Sequence, residues 1–375
     1  MAPELGRRAA EWLWYADGLP GELARAVLWP AEALMRGAVA QRRQRYDRAL
    51  QRGTLPAMAL PALSVGNLTV GGTGKTPVAA WFAARLQERG AHPALVMRGY
   101  GDDEWRVHSV LNPTVPVIRN PDRVLGTAQA AAGGADCVVL DDAFQHRRAR
   151  RVADVVLLSA DRFAGAVRLL PAGPYREPLT ALQRATAIVV TVKAARQERV
   201  DRVLQAVQRA APEVGVAVLR LEPGPLRQLA SSQPDGEPAA LPGAAALPET
   251  KPDDGPVVLV TAVADPQAFE SQMRACGYDV RAHLTFGDHH TFTATDIATV
   301  LARTAPTGGP AGIRPATRVV CTLKDAVKLA PLWPRVGPPL WYVSQHVAVE
   351  RGAALLDQQV ERVITARDTA VPPPG

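Results

Sequence analysis

Residues Ser64 to Thr76 read S-V-G-N-L-T-V-G-G-T-G-K-T, and this stretch constrains the chain more than any other. It follows an apolar run, Ala59 to Val65, that reads as a strand, and it precedes Pro77 to Arg89, which reads as a helix closed by Gly90. A strand that turns through glycines into a helix presents backbone N–H groups and the positive end of the helix dipole to one point, the arrangement that cradles phosphate. Gly71, Gly72, Thr73, Gly74, Lys75 and Thr76 are the candidate nucleotide-binding residues, with the Lys75 ammonium on phosphate oxygens and the Thr76 hydroxyl as a magnesium ligand. The strict G-x-x-x-x-G-K-[ST] pattern asks for glycine where Thr69 stands, so the loop is a G-G-x-G-K-T variant. Only five of the 43 basic residues are lysines, and against that arginine default Lys75 stands out.

A phosphate loop of this kind needs an acidic magnesium partner at the end of a neighbouring strand. Val138-Val139-Leu140-Asp141-Asp142 supplies one: an apolar strand ending in two carboxylates, both candidate metal ligands. Gln145 and His146 follow at once and bring donors to the same edge as candidate nucleotide contacts, while Arg147 and Arg148 read equally well as solvated surface.

The same texture continues on both sides. Ala94–Met97, Cys137–Leu140, Ala153–Ser159 and Ala187–Val192 are short apolar runs, several without alternation, as strands covered on both faces tend to be. The fold class predicted is α/β, a P-loop NTPase-like parallel sheet with helices on both faces. A second set of strands (257–263, 280–286, 318–322, 340–343) and helices (267–276, 294–303) follows a segment rich in Pro, Ala, Gly, Ser and Gln. The chain is therefore divided into an amphipathic block at 1–52, a P-loop core at 53–222, a linker or insertion at 223–255 and a smaller α/β domain at 256–375. Its 375 residues suit more than one domain. The tail Val371–Gly375 is expected to fray.

The opening block interleaves Trp12, Trp14, Leu19, Leu23, Val27, Trp29 and Leu34 with charged residues at helical spacing, with breaks expected near Gly18-Leu19-Pro20 and at Pro30. From Arg36 to Arg52 it holds six arginines against one acid, Asp47. Two readings fit: a helix lying in a membrane surface with arginines on anionic lipid, or an amphipathic helix packed on its own domain. No window reaches the length of apolar run that spans a bilayer, and no secretory leader is evident. The net charge of +7 raises nucleic acid as a partner, but aromatics are only 5% and the basic patch adjoins tryptophans and leucines, so no nucleic acid is expected. Cys137, Cys276 and Cys321 fit no metal or disulfide spacing and read as reduced core thiols of a cytosolic compartment.

Six segments in order, Val65–Pro77, Arg98-Gly99-Tyr100-Gly101, Asp141–Arg147, Leu169–Pro178, Gly287-Asp288-His289-His290 and Thr322–Lys328, resemble the tetraacyldisaccharide 4'-kinase (lipid A 4'-kinase) family. The resemblance implies ATP- and Mg2+-dependent phosphorylation of the 4'-hydroxyl of a tetraacylated glucosamine disaccharide 1-phosphate in lipid A biosynthesis. It further implies a peripheral protein at the cytoplasmic face of the inner membrane, with an acylated disaccharide lipid as substrate and a catalytic cleft between two domains. By the same resemblance Arg176 and Glu177 belong near the active site, Glu177 as a further metal-side carboxylate. Asp103 aligns with the family's catalytic aspartate, His289 with its histidine partner and Asp288 with the residue before it, while Asp102 competes with Asp103 for the role. The alternative is a P-loop GTPase or ATPase switch that binds a partner; it asks for N-K-x-D, and Thr322-Leu323-Lys324-Asp325 has the lysine and aspartate out of register. No motif speaks to oligomeric state.

Overall fold

The computed structural model describes residues 10, 12–15, 18–99, 103–165, 167–229, 255–288, 290–304, 317–334 and 338–369. Most of the expected linker, the tail, Tyr100 to Asp102 and His289 lie outside the described residues. In chain order the first elements are helices α1 (Leu19–Val27) and α2 (Trp29–Gln51), strand β1 (Ala62–Asn67), helix α3 (Lys75–Glu88), β2 (Pro93–Met97), α4 (Glu104–Leu111), β3 (Val117–Arg119), α5 (Arg123–Ala132), β4 (Cys137–Asp141), β5 (Ala153–Ser159), β6 (Ala187–Val192), α6 (Gln197–Ala210) and β7 (Val216–Gln228). Then come β8 (Val257–Thr261), α7 (Pro266–Ala275), β9 (Val280–Thr285), α8 (Ala294–Thr304), β10 (Arg318–Thr322), α9 (Leu323–Leu329), β11 (Leu340–Arg351) and α10 (Ala353–Thr369).

The chain forms two compact units, each discontinuous in sequence: one of residues Met1–Arg98, Ile118–Leu219 and Val349–Gly375, the other of Gly99–Val117 and Arg220–Ala348. The sequence division cut the chain at single boundaries. Here α10 completes the first unit, and α4, from the middle of the P-loop stretch, belongs to the second.

In the first unit the strands run in the order β3-β2-β4-β1-β5-β6. β1 pairs in parallel with β4 and β5, and β2–β4 and β5–β6 are parallel as well. Every residue of β1, β4, β5 and β6 is buried, which is why these strands read as unbroken apolar runs. Burying each such Val or Leu is worth about 1.5–3 kcal/mol, so the sheet forms a rigid base beneath the loops at its carboxyl edge. Helices α3 and α5 pack on β2 and β4, and α10 packs on β1, β5 and β6. Opposite sequence neighbours leave β1 on its two sides, and in such sheets ligands bind outside the carboxyl ends at that point.

The second unit orders β11-β10-β8-β9, with parallel pairing of β10 to both β8 and β11, and of β8 to β9. Its core joins Val107 and Val110 of α4 to Leu323, Ala326 and Val327 of α9. Residues 223–228, expected as linker, are the end of β7. The expected breaks in the opening block are present: Gly18 caps α1 with φ 84°, Leu28 separates the helices, and Pro30 sits in the first turn of α2. Cys137 and Cys321 are buried but Cys276 is exposed, so only two of the three thiols belong to the core.

Candidate active site

The phosphate loop springs from the carboxyl end of β1. Gly74 takes the left-handed conformation, φ 83°, as the cap that turns the loop into α3, and Lys75 is the first residue of that helix. A side-chain web fixes the loop: Asn67 Nδ2 donates to Thr73 Oγ1 at 2.8 Å, and Thr191 Oγ1, from β6, donates to the Thr73 carbonyl at 2.9 Å. The loop is further clipped to the Leu169–Pro178 segment, because Val70 N donates to the Pro174 carbonyl and Arg176 N to the Leu68 carbonyl. The isolated antiparallel bridge between Thr69 and Tyr175 therefore delivers Arg176 to the loop.

β4 ends alongside β1, with Asp141 in register with Val65, and Asp142 N donates to the Val65 carbonyl at 2.9 Å. Close approach here depends on Gly66, since a Cβ there would stand 2.5 Å from Phe144 Cβ. Asp142 adopts φ 50°, rare for a non-glycine residue, and that kink aims its carboxylate at the loop. Lys75 Nζ stands 3.7 Å from Asp142 Oδ1, and Arg176 reaches the same carboxylate at 3.2 Å. Burial would raise the Asp142 carboxyl, but Lys75 and Arg176, with Arg123 behind them, outweigh it and hold the group below the usual carboxylate range. Gln145 links both segments: its Nε2 donates to the Asn67 carbonyl at 2.8 Å and its Oε1 accepts from Arg176 at 3.4 Å.

The expected residues separate on this geometry. Gly71 to Thr76, Asp141, Asp142, Gln145 and Arg176 gather at one edge. Glu177 is buried against Arg184, 2.9 Å away, so its carboxylate is engaged by a guanidinium. Burial and the charges of Arg123, Arg151 and Arg42 outweigh Asp122 and lower the affinity of His146 for a proton, and it is Gln145 whose side chain bonds the Asn67 carbonyl at the foot of the loop. Arg123 escaped the sequence reading. It is buried at the start of α5 and donates to the Asp141 carbonyl at 3.1 Å, and its only sequence signal is the capping aspartate Asp122 before it.

Among the described residues no cluster of three or more His, Cys, Asp or Glu side chains is spaced to hold a metal ion. The donors at the loop are the carboxylates of Asp141 and Asp142 and the Thr76 hydroxyl, all oxygen. That set fits magnesium, which takes one or two carboxylates and completes its shell from phosphate oxygens and water.

In the second unit, Asp103 caps α4 and is 6% exposed, with Lys328 Nζ 3.0 Å from its Oδ2. Burial would raise this carboxyl, yet Lys328 and Lys324 outweigh it and hold it low. Asp288 lies 3.4 Å from Lys324. Asp325, the residue that an out-of-register guanine reader would use, is fully buried: it accepts from Ala262 N at 3.1 Å and from Thr322 Oγ1 at 2.7 Å. Those bonds tie it to Thr322, the N-cap of its helix, and to the turn after β8.

The family profile described as Tetraacyldisaccharide-1-P 4'-kinase matches residues 24–114 and 109–365, nearly the whole described chain. A tetraacyldisaccharide 4'-kinase of Halorhodospira halophila is 35% identical over 91% of this chain and 93% of its own length. The chain belongs to the tetraacyldisaccharide-1-P 4'-kinase family. A second relative of that name, from Anaeromyxobacter dehalogenans, is 36% identical over 94% of this chain and 95% of its own. The crystal structure of LpxK from Aquifex aeolicus in complex with ATP superposes with a TM-score of 0.63 at 22% identity, covering 90% of this chain and 99% of that one, and so shares the fold. Membership of the 4'-kinase family sets the switch reading aside.

Proposed function

We propose that the chain transfers the γ-phosphoryl group of ATP to the 4'-hydroxyl of a tetraacylated glucosamine disaccharide 1-phosphate, the 4'-kinase step of lipid A biosynthesis. The observation that carries this is the pairing of Lys75 with Asp142 at the carboxyl edge of the sheet, in a chain whose relatives bear that name. Lys75 and the backbone N–H groups of Gly71 to Thr76 bind the phosphates. Asp141, Asp142 and Thr76 would hold magnesium, which neutralises phosphate charge when bound. Arg176, anchored on Asp142 and Gln145, adds a guanidinium to the same edge. As the 4'-oxygen bonds to phosphorus and the bond to the ADP oxygen breaks, Asp103 accepts the hydroxyl proton, with His289 its partner. Because such transition states are loose, a weak base suffices.

The substrate keeps its acyl chains in a bilayer, and we assign the protein to the cytoplasmic face of the inner membrane. α1 supports this. Leu19, Leu23 and Val27, four residues apart, are 73%, 67% and 78% exposed, and Trp29 and Leu34 continue the apolar surface. The block is also docked on its own unit: Trp14 Nε1 donates to the Pro171 carbonyl, and buried Glu32 accepts from Leu169 N. Packing and membrane contact thus use different faces.

The test is ATP-dependent phosphate incorporation into tetraacyldisaccharide 1-phosphate in mixed micelles. Magnesium-dependent formation of the 1,4'-bisphosphate is expected. Folded protein that hydrolyses ATP without labelling the lipid would overturn the assignment.

A further inference from the structure

The helix α9 carries two lysines four residues apart, Lys324 and Lys328, in a chain with five lysines among 43 basic residues. Both turn toward acidic residues of sequence-distant segments. Lys328 Nζ is 3.0 Å from Asp103 Oδ2 and donates at 3.5 Å to the carbonyl of His290; Lys324 Nζ is 3.4 Å from Asp288 Oδ1.

The helix is itself held with little freedom. Between the lysines, Asp325 is fully buried and pins the start of α9 to the turn after β8 through Ala262 N, while Thr322 caps the helix by accepting from Asp325 N at 3.2 Å. Leu323, Ala326 and Val327 are buried against α4, whose capping residue is Asp103. The Phe286 and His290 rings stack at 4.9 Å and Asp296 receives His290 Nε2 at 3.0 Å, so the carbonyl that Lys328 meets is also fixed.

We propose that Lys324 and Lys328 are positioning residues of the phosphoryl transfer: Lys328 ties the Asp103 carboxylate to the carbonyl of His290, and Lys324 ties Asp288, so that α9 holds the proton-accepting carboxylate in place. The inference rests on Asp103 being the base. A lysine suits the task because its ammonium has three donors on a flexible stem and can hold a carboxylate and a carbonyl at once, whereas a planar guanidinium would claim the carboxylate with both arms. The charged groups around Asp103 are Lys328 and Lys324 from α9, with Asp325 between them, Asp288 beyond Lys324, Glu104 next in its own helix, and the His290–Asp296 pair behind the carbonyl. Lys328, 3.0 Å away, and Lys324 outweigh the burial, so an ionised Asp103 is favoured across the neutral range. Its low basicity is tolerable because the proton is needed late.

The test is the pH dependence of kcat at saturating ATP and lipid for wild type, K328Q, K328R, K324Q, D103N and D103N/K328Q. Removing a cation beside a carboxylate shifts its ionisation by about one unit or more. K328Q should lose about tenfold or more in kcat, with KM for ATP unchanged and the acid limb displaced upward by about one pH unit. K328R should restore the limb. K324Q should lower kcat with a smaller limb shift than K328Q, and the double variant should be within about threefold of D103N alone, since residues acting as a unit are not additive. An unmoved limb in K328Q, or losses that multiply in the double variant, would overturn the inference while leaving the kinase intact. D103N with near-wild-type turnover would instead overturn the base assignment, and the inference would fall with it. Should K328Q fail to fold, K328R carries the test: a limb displaced despite the retained cation overturns the role.

Discussion

At Lys75 the ammonium is paired with a carboxylate. It lies 3.7 Å from Asp142, and under the proposed phosphate-binding role Lys75→Ala should slow turnover about 100-fold, the ~3 kcal/mol typical of a lost charge contact in a preorganised site. Lys75→Arg should not rescue it, and steady-state kinetics at saturating magnesium would show whether it does. Asp141→Asn and Asp142→Asn should raise the magnesium concentration for half-maximal rate, read by titrating the metal at fixed ATP. Identical activation curves in wild type and both variants would make these carboxylates structural. Asp325 behaves differently, because burial pushes its carboxyl up to about 6 from an ordinary value near 3.8. The folded protein holds that proton more tightly than the unfolded chain, so the residue favours folding at low pH and the contribution is lost as pH rises through about 6. Asp325→Asn should therefore raise Tm relative to wild type more at pH 8 than at pH 4.5, measured by thermal melts; an equal difference at both would contradict the linkage. The loop glycines, Lys75 and the paired Asp141 and Asp142 stood out from an alanine- and arginine-rich background, whereas Arg176 and Glu177 came only from the family resemblance. Arg123 and Arg184 did not stand out, since one more arginine carries no signal in such a chain.

Elements were legible where burial on both faces left a continuous apolar run. The fully buried strands β4, β5 and β6 agree with their expected ranges to within a residue. α6 and α10 went unassigned although Val200, Val203 and Val207, and Leu356, Val360 and Val363, carry the spacing of a helix buried along one stripe. β7 was hidden for a better reason: Pro223-Gly224-Pro225 reads as linker, yet the glycine lets Ser344 approach so closely that a Cβ would lie 3.0 Å from its Oγ. For α1 the apolar stripe yields a clean experiment. Leu19→Ser with Leu23→Ser should weaken association with anionic vesicles several-fold in co-sedimentation while leaving the melting temperature nearly unchanged, because those side chains are exposed. Deleting the whole block would be a poorer test, since it removes Glu32 from Leu169 N and Asp47 from Arg147. If the double serine variant co-sediments as wild type does, the stripe is not the membrane-facing surface.

Over the whole molecule, the consequential feature is that the first unit takes its last helix from the far end of the chain. Gly352, with φ 85°, turns β11 into α10, and a Cβ there would meet Ala217 at 2.9 Å, so the turn admits little but glycine. α10 then buries Leu356, Val360 and Val363 over β1, β5 and β6. On the ribosome this reverses the usual order of completion. The strand bearing the phosphate loop is made early, but the helix that packs over β1, β5 and β6 is missing until residues near 369 have been synthesised, by which time every segment of the second unit is already available. Nascent chains arrested with residue 348 outside the tunnel should thus show protease-resistant second unit and a cleavable first, and those released past residue 369 should resist in both. The nucleotide site is in this sense a late product of translation, and an incomplete chain should be unable to bind ATP.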